Sequence, residues 1–477
     1  MPFILLIALH SVQAPRSTAG ARAPVVLTNV TVIDATGAPP KPGVTVVIAN
    51  GRVQTIGRQA EAPAGAQRVD GTGKYLIPGL WDMHVHPDDP EIYPVNPPND
   101  EKKYLLPLFV ANGVTGVRDM GGDLDLLKSW RRSIQQGEWS GPRLVIGGPL
   151  VDGPKPMWPG SVAVGTPEQG VRAVDSLLQA GADFIKVYSL LPRTAYFAIA
   201  RRARERGVTF AGHVPETVTV EEASDSGQKS EEHLLNVVRD MGNVDSARAA
   251  AGAATSPDRY ARYAAMNDAL LATWDGAKAA RLFAKLARNG TYQTPTLINW
   301  RTNAWAGEPD PEWIEWQQYL PAYLRKWWSP AENVHLQDQS PVLTTTSRKL
   351  FAKYLDIVRQ MDAAGVRMMA GTDMGGNPFC FPGWSLHQEL ELFVRAGLSP
   401  MKALQTATKN PADFLGISDS LGTIERGKIA DLVLLDANPL ENIRNTMRIR
   451  AVIVGGRFLG RAELDLHLAA IKEHVQR

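Results

Sequence analysis

The two ends of the chain are rich in short segments with a β-type pattern of apolar and polar residues. These segments fall at residues 25–34, 44–48, 52–56, 431–436 and 450–454. Asn50-Gly51 separates two of them, and because both residues tolerate positive φ, the pair favours a tight hairpin turn. Such runs at opposite ends of a chain can pair with each other. They predict a small β-sandwich built from residues 24–76 and 417–465.

The middle of the chain, residues 77–416, alternates strand-like and helix-like patterns. The predicted strands are 77–86, 113–120, 143–148, 183–188, 208–213, 229–233, 292–297 and 366–373. The predicted helices between them include 124–136, 167–180, 193–206, 277–288 and 349–364, and Ser399-Pro400 favours a further helix start. Eight strands with intervening helices predict an α/β fold, a (β/α)₈ TIM barrel with insertions.

Two insertions depart from this alternation, at about residues 236–289 and 301–345. Six of the twelve tryptophans fall in a short stretch of the chain, namely Trp300, Trp305, Trp313, Trp316, Trp327 and Trp328. One interpretation is that inserted helices pack a satellite core of their own. The alternatives are a lid or aromatic wall over the barrel mouth, or a dimer contact, because loops after barrel strands face the active site.

Composition narrows the range of partners. The 477 residues are 44% hydrophobic and carry a formal net charge of +2, with acidic and basic residues interspersed. This balance favours a small-molecule substrate over nucleic acid or stable membrane insertion, and it is compatible with a homo-oligomer. Cys380 is the only cysteine, so the chain forms no internal disulfide and no thiolate-built metal site.

Residues 1–23 resemble a secretory leader. A short apolar run at 3–9 is followed by small residues at 19–23, although the usual basic start is missing. The pattern predicts export to the periplasm or the medium. If the apolar stretch is not a signal, the protein is cytoplasmic.

The candidate chemistry lies at the ends of the predicted strands. His84 and His86 are two residues apart, so a strand directs both imidazoles to one side, where a divalent metal ion can bind. Four more residues lie at or near the ends of later strands: Lys186, His213, His233 and Asp373. Barrel enzymes assemble their active sites from such strand ends.

With these residues the chain resembles the metal-dependent amidohydrolase superfamily, in the branch of imidazolonepropionase-like and Xaa-Pro dipeptidase-like hydrolases, which includes N-acyl amino acid amidases. The resemblance covers about residues 25–459. It rests on Pro78-Gly79-Leu80 before the H-x-H, Gly371-Thr372-Asp373, Asn410-Pro411-Ala412, residues 421–424 and residues 427–432. The spacing of 27 residues from Lys186 to His213 is short for the dipeptidase branch.

The resemblance implies two divalent metal ions, zinc in the first instance. His84, His86 and Asp373 would hold the deeper ion, His213 and His233 the more exposed one. Lys186 would bridge both as an N-carboxylated lysine, and a hydroxide bridging the ions would attack an amide. Burial and neighbouring cations favour a neutral amine that can add CO₂. Alternatively, Lys186 is a snorkelling lysine or an anchor for a substrate carboxylate.

Further residues are predicted to contact the substrate or the ligands. Asp373 is the expected proton carrier, and Tyr188, on the same strand face as Lys186, is expected to donate to the substrate carbonyl unless it is a core tyrosine. Trp158, in the loop 152–160, and His387 are candidate substrate contacts. Arg118 and Asp119 could pair with a ligand histidine or form a structural ion pair.

Two other functions compete with amide hydrolysis. His213 and Glu216 have the H-x-x-E spacing of a mononuclear zinc deaminase, although Lys186 has no role in that chemistry. A metal-free relative with a structural role is the third hypothesis. The predicted function is a binuclear hydrolase that cleaves the amide of a small N-acyl amino acid or dipeptide-like compound.

Overall fold

The computed structural model describes residues 23–88, 103–329, 331–337, 340–375 and 377–476, without the side chains of residues 334 and 335. Residues 1–22 of the predicted leader lie outside the described residues. Among the helices of the described ranges, none is both long enough and apolar enough to cross a lipid bilayer.

Both chain ends contribute to one mixed sheet. Its strands are β1 (Val25–Val32), β2 (Lys41–Ala49), β3 (Arg52–Gly57), β4 (Gln67–Asp70), β5 (Tyr75–Pro78), β15 (Leu432–Leu435), β16 (Ile449–Val454) and β17 (Arg457–Gly460). They follow the order β17-β16-β15-β5-β1-β2-β3, with β4 beside β1. The turn at Asn50-Gly51 has φ of 53° and 74°, which confirms the predicted hairpin. The predicted pairing of the two ends is therefore observed, whereas the sandwich architecture and the domain boundaries stay predictions.

The predicted strand 77–86 is wrong as a single element, because the chain passes between two sheets within it. β5 pairs with β15 in the terminal sheet, and β6 (Leu80–Val85) pairs with β7 (Val114–Asp119) in a parallel one. Gly79 lies at the crossing, where an added Cβ would approach Thr115 Oγ1 to 2.2 Å. Only glycine allows this close passage.

The other strands are parallel to β6. They are β8 (Arg143–Ile146), β9 (Val151–Asp152), β10 (Val162–Ala163), β11 (Ile185–Val187), β12 (Phe210–Gly212), β13 (Ser230–Glu232) and β14 (Tyr292–Thr294). β6, β7 and β8 form one sheet, and β9 to β14 form another. Each predicted strand from 113 to 297 is present in a shorter form.

Backbone hydrogen bonds join these sheets into a circuit. The amide of Asp183, just before β11, donates to Ile146 O in β8. On the other side, residues 366–374 form isolated bridges with both β14 and β6 rather than the predicted eighth strand. We call β6, β7, β8, β11 to β14 and residues 366–374 the strand ring. This α/β arrangement of parallel strands is consistent with the predicted barrel.

Helices cover the strand ring. They are α1 (Leu106–Ala111), α2 (Leu124–Gln136), α3 (Pro167–Ala180), α4 (Arg193–Arg206), α5 (Val220–Asp225), α6 (Val237–Met241), α7 (Val244–Ala253), α8 (Ala261–Ala272), α9 (Gly276–Asn289), α10 (Leu297–Ala304), α11 (Pro311–Trp316), α12 (Ala322–Trp327), α13 (Val334–Gln337), α14 (Pro341–Ala363), α15 (Trp384–Arg395), α16 (Pro400–Thr406), α17 (Lys409–Leu415) and α18 (Arg461–Val475). Three-residue 3₁₀ turns lie at Lys103–Leu105 and Gln317–Tyr319, and a longer one at Ile443–Met447. The predicted helices 124–136, 167–180 and 193–206 are confirmed residue for residue, and Ser399 caps α16 as expected.

The inserted helices pack against the main core. Trp313 and Trp328 are buried, and Trp300, Trp305, Trp316 and Trp327 pack against the same cluster. The rings of Trp313 and Phe379 stack with centroids 5.3 Å apart. Burial of this kind favours a core extended by the insertion over a separate satellite cluster.

Candidate metal centre

The six predicted ligands lie together at the C-terminal ends of the strand ring. His84 is near the end of β6 with His86 just beyond it, and Lys186 is in β11. His213 and His233 directly follow β12 and β13. His84 Nε2 and His86 Nε2 lie 3.3 and 3.4 Å from Asp373 Oδ1. The ring centroids of His84 and His213 lie 4.4 and 4.9 Å from that of His233. The predicted residues therefore form one cluster, and their role as metal ligands stays a prediction.

Each of the four histidines is held through Nδ1. The partners are Glu232 Oε2 for His84 (2.8 Å), Gly121 O for His86 (3.1 Å), Ser189 Oγ for His213 (2.8 Å) and Thr296 Oγ1 for His233 (2.7 Å). A carbonyl can only accept, so His86 donates from Nδ1 and presents its Nε2 lone pair. Histidines held in this way are typical of metal sites, because the outer partner fixes tautomer and ring orientation.

Two buried polar atoms at the centre of the cluster have no hydrogen-bond partner among the described residues. They are His84 Nε2 and Lys186 Nζ, and both side chains are fully buried. An unsatisfied buried polar atom costs about 1–3 kcal/mol, so a folded protein retains such atoms where a ligand satisfies them. His84, His233 and Asp373 also place their donor atoms within 4.8 Å of one another. The donor set fits a divalent cation.

Burial sets the protonation of the basic groups. It lowers the pKa of Lys186 to about 8, against the opposing attraction of Glu232 and Asp373. Burial, followed by the charge of Lys186, lowers the pKa of His84 and His213 well below the ordinary value. Neutral imidazoles and an amine that deprotonates near neutrality are the forms that bind metal ions and add CO₂. Complete burial also contradicts the alternative that Lys186 is a snorkelling lysine.

Asp373 is held as a carboxylate. Its Oδ2 accepts from Asn299 Nδ2 at 2.6 Å and from Asn377 Nδ2 at 2.8 Å. Burial would raise its pKa, but interactions with His233, His86 and Lys186, including a hydrogen bond with His86, outweigh burial and lower the pKa to about 2. Its backbone φ is +59°, a conformation that L-residues rarely adopt and that clusters at functional sites.

Tyr188 and Trp158 lie next to this cluster. The Tyr188 ring stacks on His213 with centroids 4.0 Å apart, and Trp158 Nε1 donates to Tyr188 Oη at 2.8 Å. Asp152 fastens the loop that carries Trp158 by accepting from the amides of Met157 and Leu190. The structure therefore brings both predicted residues to the site and joins them to each other.

The prediction that His387 contacts substrate needs correction. His387 is buried, and both of its ring nitrogens are hydrogen-bonded, to Thr446 Oγ1 at 2.9 Å and to Asn112 O at 3.0 Å. Asn112 precedes β7, at the opposite end of the strand ring. Glu216, the proton carrier of the deaminase hypothesis, is exposed, whereas His213 is buried.

Several contributing residues were not predicted from the sequence, among them Ser189 and Asn377. Glu232 holds His84, and Thr296 and Asn299 come from the start of α10, where Trp300 Nε1 also donates to His233 O at 3.1 Å. Thr296 falls in the predicted strand 292–297, so its place at a strand end was the available signal. The start of α10 is thus joined to His233 and Asp373 by hydrogen bonds.

Arg118 is joined to the ligands through Glu232. Its Nη2 donates to both oxygens of Glu232, at 2.9 and 3.1 Å, and its Nε donates to Met83 O at 2.6 Å. Asp119 instead accepts from the amides of Gly121 and Gly148. Of the two predicted residues, Arg118 therefore supports a ligand histidine and Asp119 supports the neighbouring turns.

We expect Arg118→Met to destabilise the fold strongly. The substitution leaves the buried Glu232 carboxylate without its cation, a change that typically costs about 3–5 kcal/mol. Urea unfolding of the metal-free protein measures the loss. The double variant Arg118→Met/Glu232→Leu removes both charges and should recover part of it. A single variant within about 1 kcal/mol of wild type would contradict a tightly coupled pair.

Comparison with known proteins agrees with this geometry. Residues 75–459 match the amidohydrolase family. Bottromycin amidohydrolase is 25% identical over 94% of this chain and 90% of its own, with a TM-score of 0.71. A Xaa-Pro dipeptidase with bound methionine is 21% identical over 92% of this chain and all of its own, with a TM-score of 0.66, a likeness of fold.

Curated relatives match over short segments. A dihydroorotase of Trichlorobacter lovleyi is 53% identical over 45 residues, which are 9% of this chain and 11% of that protein. The match thus spans about a tenth of that relative, whereas the family match covers most of this chain and includes all six clustered residues. The chain belongs to the amidohydrolase family.

Proposed function

We propose that this protein is a binuclear metal-dependent hydrolase that cleaves the amide (C–N) bond of a small N-acyl amino acid or dipeptide-like substrate. The observation that carries the proposal is Lys186 Nζ, which is buried without a hydrogen-bond partner among the described residues and lies close enough to His84, His213 and His233 to lower their pKa values. A lone ammonium enclosed by histidines is a poor structural element. In the proposed site the same atom has a bridging role.

The proposed site takes two divalent cations, which we assign as zinc. His84, His86 and Asp373 would hold the deeper ion, and His213 and His233 the more exposed one. When bound, such ions lower the pKa of a coordinated water and polarise a carbonyl. Imidazole and carboxylate donors suit zinc, although other first-row metals bind similar sets.

Lys186 would link the two positions as a carbamate. Its neutral Nζ attacks the carbon of CO₂, an N–C bond forms, and one proton leaves to solvent. The product carries one negative charge over two oxygens, which can each bind a cation. The lowered pKa of Lys186, about 8, makes the neutral amine accessible near neutral pH.

Asp373 and Tyr188 would act on the substrate. The Asp373 carboxylate takes the proton of the attacking water and passes it to the leaving nitrogen, as a positioned acid–base group does. The Tyr188 hydroxyl, held by Trp158, donates to the substrate carbonyl oxygen as negative charge develops there. Trp158 lies within contact of a substrate bound at Tyr188.

The substrate class draws support from the solved relatives. One is described as a Xaa-Pro dipeptidase with bound methionine and another as bottromycin amidohydrolase.

The proposal also covers the architecture, the location and the assembly of the protein. We propose a closed barrel over residues 77–416 and a β-sandwich formed by the two chain ends. We further propose that residues 1–23 direct export and that the protein acts as a homo-oligomer.

Metal analysis and a substrate screen test the proposal together. Protein purified without chelator should contain two divalent ions per chain and hydrolyse members of a panel of N-acyl amino acids, dipeptides and lactones. One ion with release of ammonia from aminopurines would favour the deaminase. Absence of bound transition metal after loading with zinc would refute both.

We expect Tyr188→Phe to lower kcat by about 10²–10³-fold with little change in KM, because one donor to the developing oxyanion is lost. Steady-state kinetics with the best substrate of the panel measures this. The matched control is Tyr196→Phe. Tyr196 lies on α4, and its buried hydroxyl donates a hydrogen bond to Gln228 Oε1. If both variants keep wild-type kcat, Tyr188 is a packing residue.

A further inference from the structure

The outer partners of the four histidines differ in charge. His84 is held by a carboxylate, whereas His86, His213 and His233 are held by a neutral carbonyl or hydroxyl oxygen. This difference separates one ligand from the other three. The Nε2 atom of His84 is buried, makes no hydrogen bond among the described residues and lies 3.3 Å from Asp373 Oδ1.

The carboxylate that holds His84 is fixed from several sides. Arg118 donates to both of its oxygens, and Ser230 Oγ donates to Glu232 Oε1 at 2.5 Å. Arg118 Nη1 also donates to Ser230 Oγ at 2.9 Å. Arg118, Ser230 and Glu232 are at most 1% exposed, so water does not screen their charges. The Glu232 carboxylate therefore cannot rotate freely, and water cannot take its place as the partner of His84.

A carboxylate partner makes an imidazole a stronger ligand. An Nδ1–H donated to an anion increases electron density at Nε2 and fixes the ring, and losing such a partner typically lowers metal affinity about 10–100-fold. Neutral carbonyl and hydroxyl oxygens attract the Nδ1 proton of an imidazole less strongly than a carboxylate does. Of the described ligands, His84 alone has this advantage.

We propose that the Arg118–Ser230–Glu232 group is a positioning device for His84 that makes the deeper metal position the tighter one, so that the two ions load in a fixed order. The inference rests on the proposed binuclear site. The two positions would share Lys186 and would each use two histidines, and the deeper one would also use Asp373. The inference concerns the part of the difference in affinity that comes from the partner of His84.

The chain offers a matched control on the same strand. Glu231 is also buried, but it faces the other side of β13, where Gln293 Nε2 donates to its Oε2 at 2.6 Å. Glu231→Gln and Glu232→Gln are therefore the same change at adjacent buried positions. Only Glu232→Gln removes the charge beside His84, while it keeps an oxygen that can accept from Nδ1.

The test is a zinc titration of the metal-free protein with a competing chelator. Wild type should bind two ions with unequal dissociation constants. Glu232→Gln should weaken the tighter step by about 10–100-fold and leave the weaker one unchanged. Glu231→Gln should change neither step. Ser230→Ala, which removes one donor to Glu232 but keeps the ion pair, should weaken the tighter step in the same direction and by less.

Cobalt(II) provides a spectroscopic readout that a purely structural role would not change. The absorption spectrum produced by the first equivalent of cobalt should differ between wild type and Glu232→Gln. The further change in absorption produced by the second equivalent should be the same in the two proteins. Equal weakening of both steps, or of neither, in a Glu232→Gln protein that binds two ions overturns this inference and leaves the proposed function standing. A wild type that binds fewer than two ions overturns both.

Discussion

Lys186→Ala should abolish both the second metal ion and nearly all hydrolysis. The substitution removes the group that bridges the two positions in the proposed site, and the Lys186 side chain is fully buried. Loss of several kcal/mol of transition-state stabilisation corresponds to about 10³-fold or more in kcat/KM. Metal quantification and steady-state kinetics on the same preparation measure the two effects together.

Lys229→Ala is the matched control for this variant. Lys229 directly precedes β13, at the opposite end of the strand ring, and its Nζ lies 6.0 Å from the Phe414 ring centroid. The Lys229→Ala variant should bind two ions and have the kcat/KM of wild type. In the alternative where Lys186 anchors a substrate carboxylate, Lys186→Ala would keep both ions and raise KM alone, which would contradict the bridging role.

Asp373→Asn should lower kcat by about 10²–10⁴-fold, the range lost with a positioned acid–base group. The amide keeps an oxygen that can face His84 and His86, so we expect the metal content to fall less than the activity. The measurement is kcat with the metal content of each sample determined. The physical cause is that an amide does not accept the proton of the attacking water.

Asp431→Asn serves as its control. Asp431 is also buried, but it pairs with Arg143 at the start of β8, away from the ligands. The Asp431→Asn substitution should lower the free energy of unfolding and leave kcat unchanged. Near-native turnover in Asp373→Asn with two ions bound would show that another group carries the proton.

Much of the secondary structure could be predicted because its signals are local. α2 begins after Asp123 and α3 after Thr166, each of which caps the helix with its own side chain. α2, α3 and α4 end at glycines with φ of 79°, 96° and 64°. Caps and positive-φ glycines act within one turn, so the sequence alone marks these ends.

The division of the strand at Gly79 and the bridges made by residues 366–374 were less predictable. An apolar run such as 75–85 fits one long strand or two short ones in different sheets. The choice depends on close approach to Thr115, which lies well beyond the local sequence. Strand partners are set by tertiary contacts.

The six clustered residues were predicted because a ring of parallel strands places all its C-terminal ends at one edge. Their supports were not predicted, since each contact joins distant parts of the chain. Nothing in Ser230-Glu231-Glu232 tells which glutamate faces His84, which is 148 positions away. His387 failed for the same reason, because its partners lie 59 and 275 positions away.

By itself the sequence determined most of the helices and the approximate positions of most strands, and which side chains have the chemistry of metal ligands, because periodicity, caps and residue chemistry are local properties. Tertiary structure alone decided which nitrogen each imidazole presents, which buried charge compensates which, and which atoms are left without a partner. Those outcomes depend on distances of about 3 Å between groups that only the folded chain brings together.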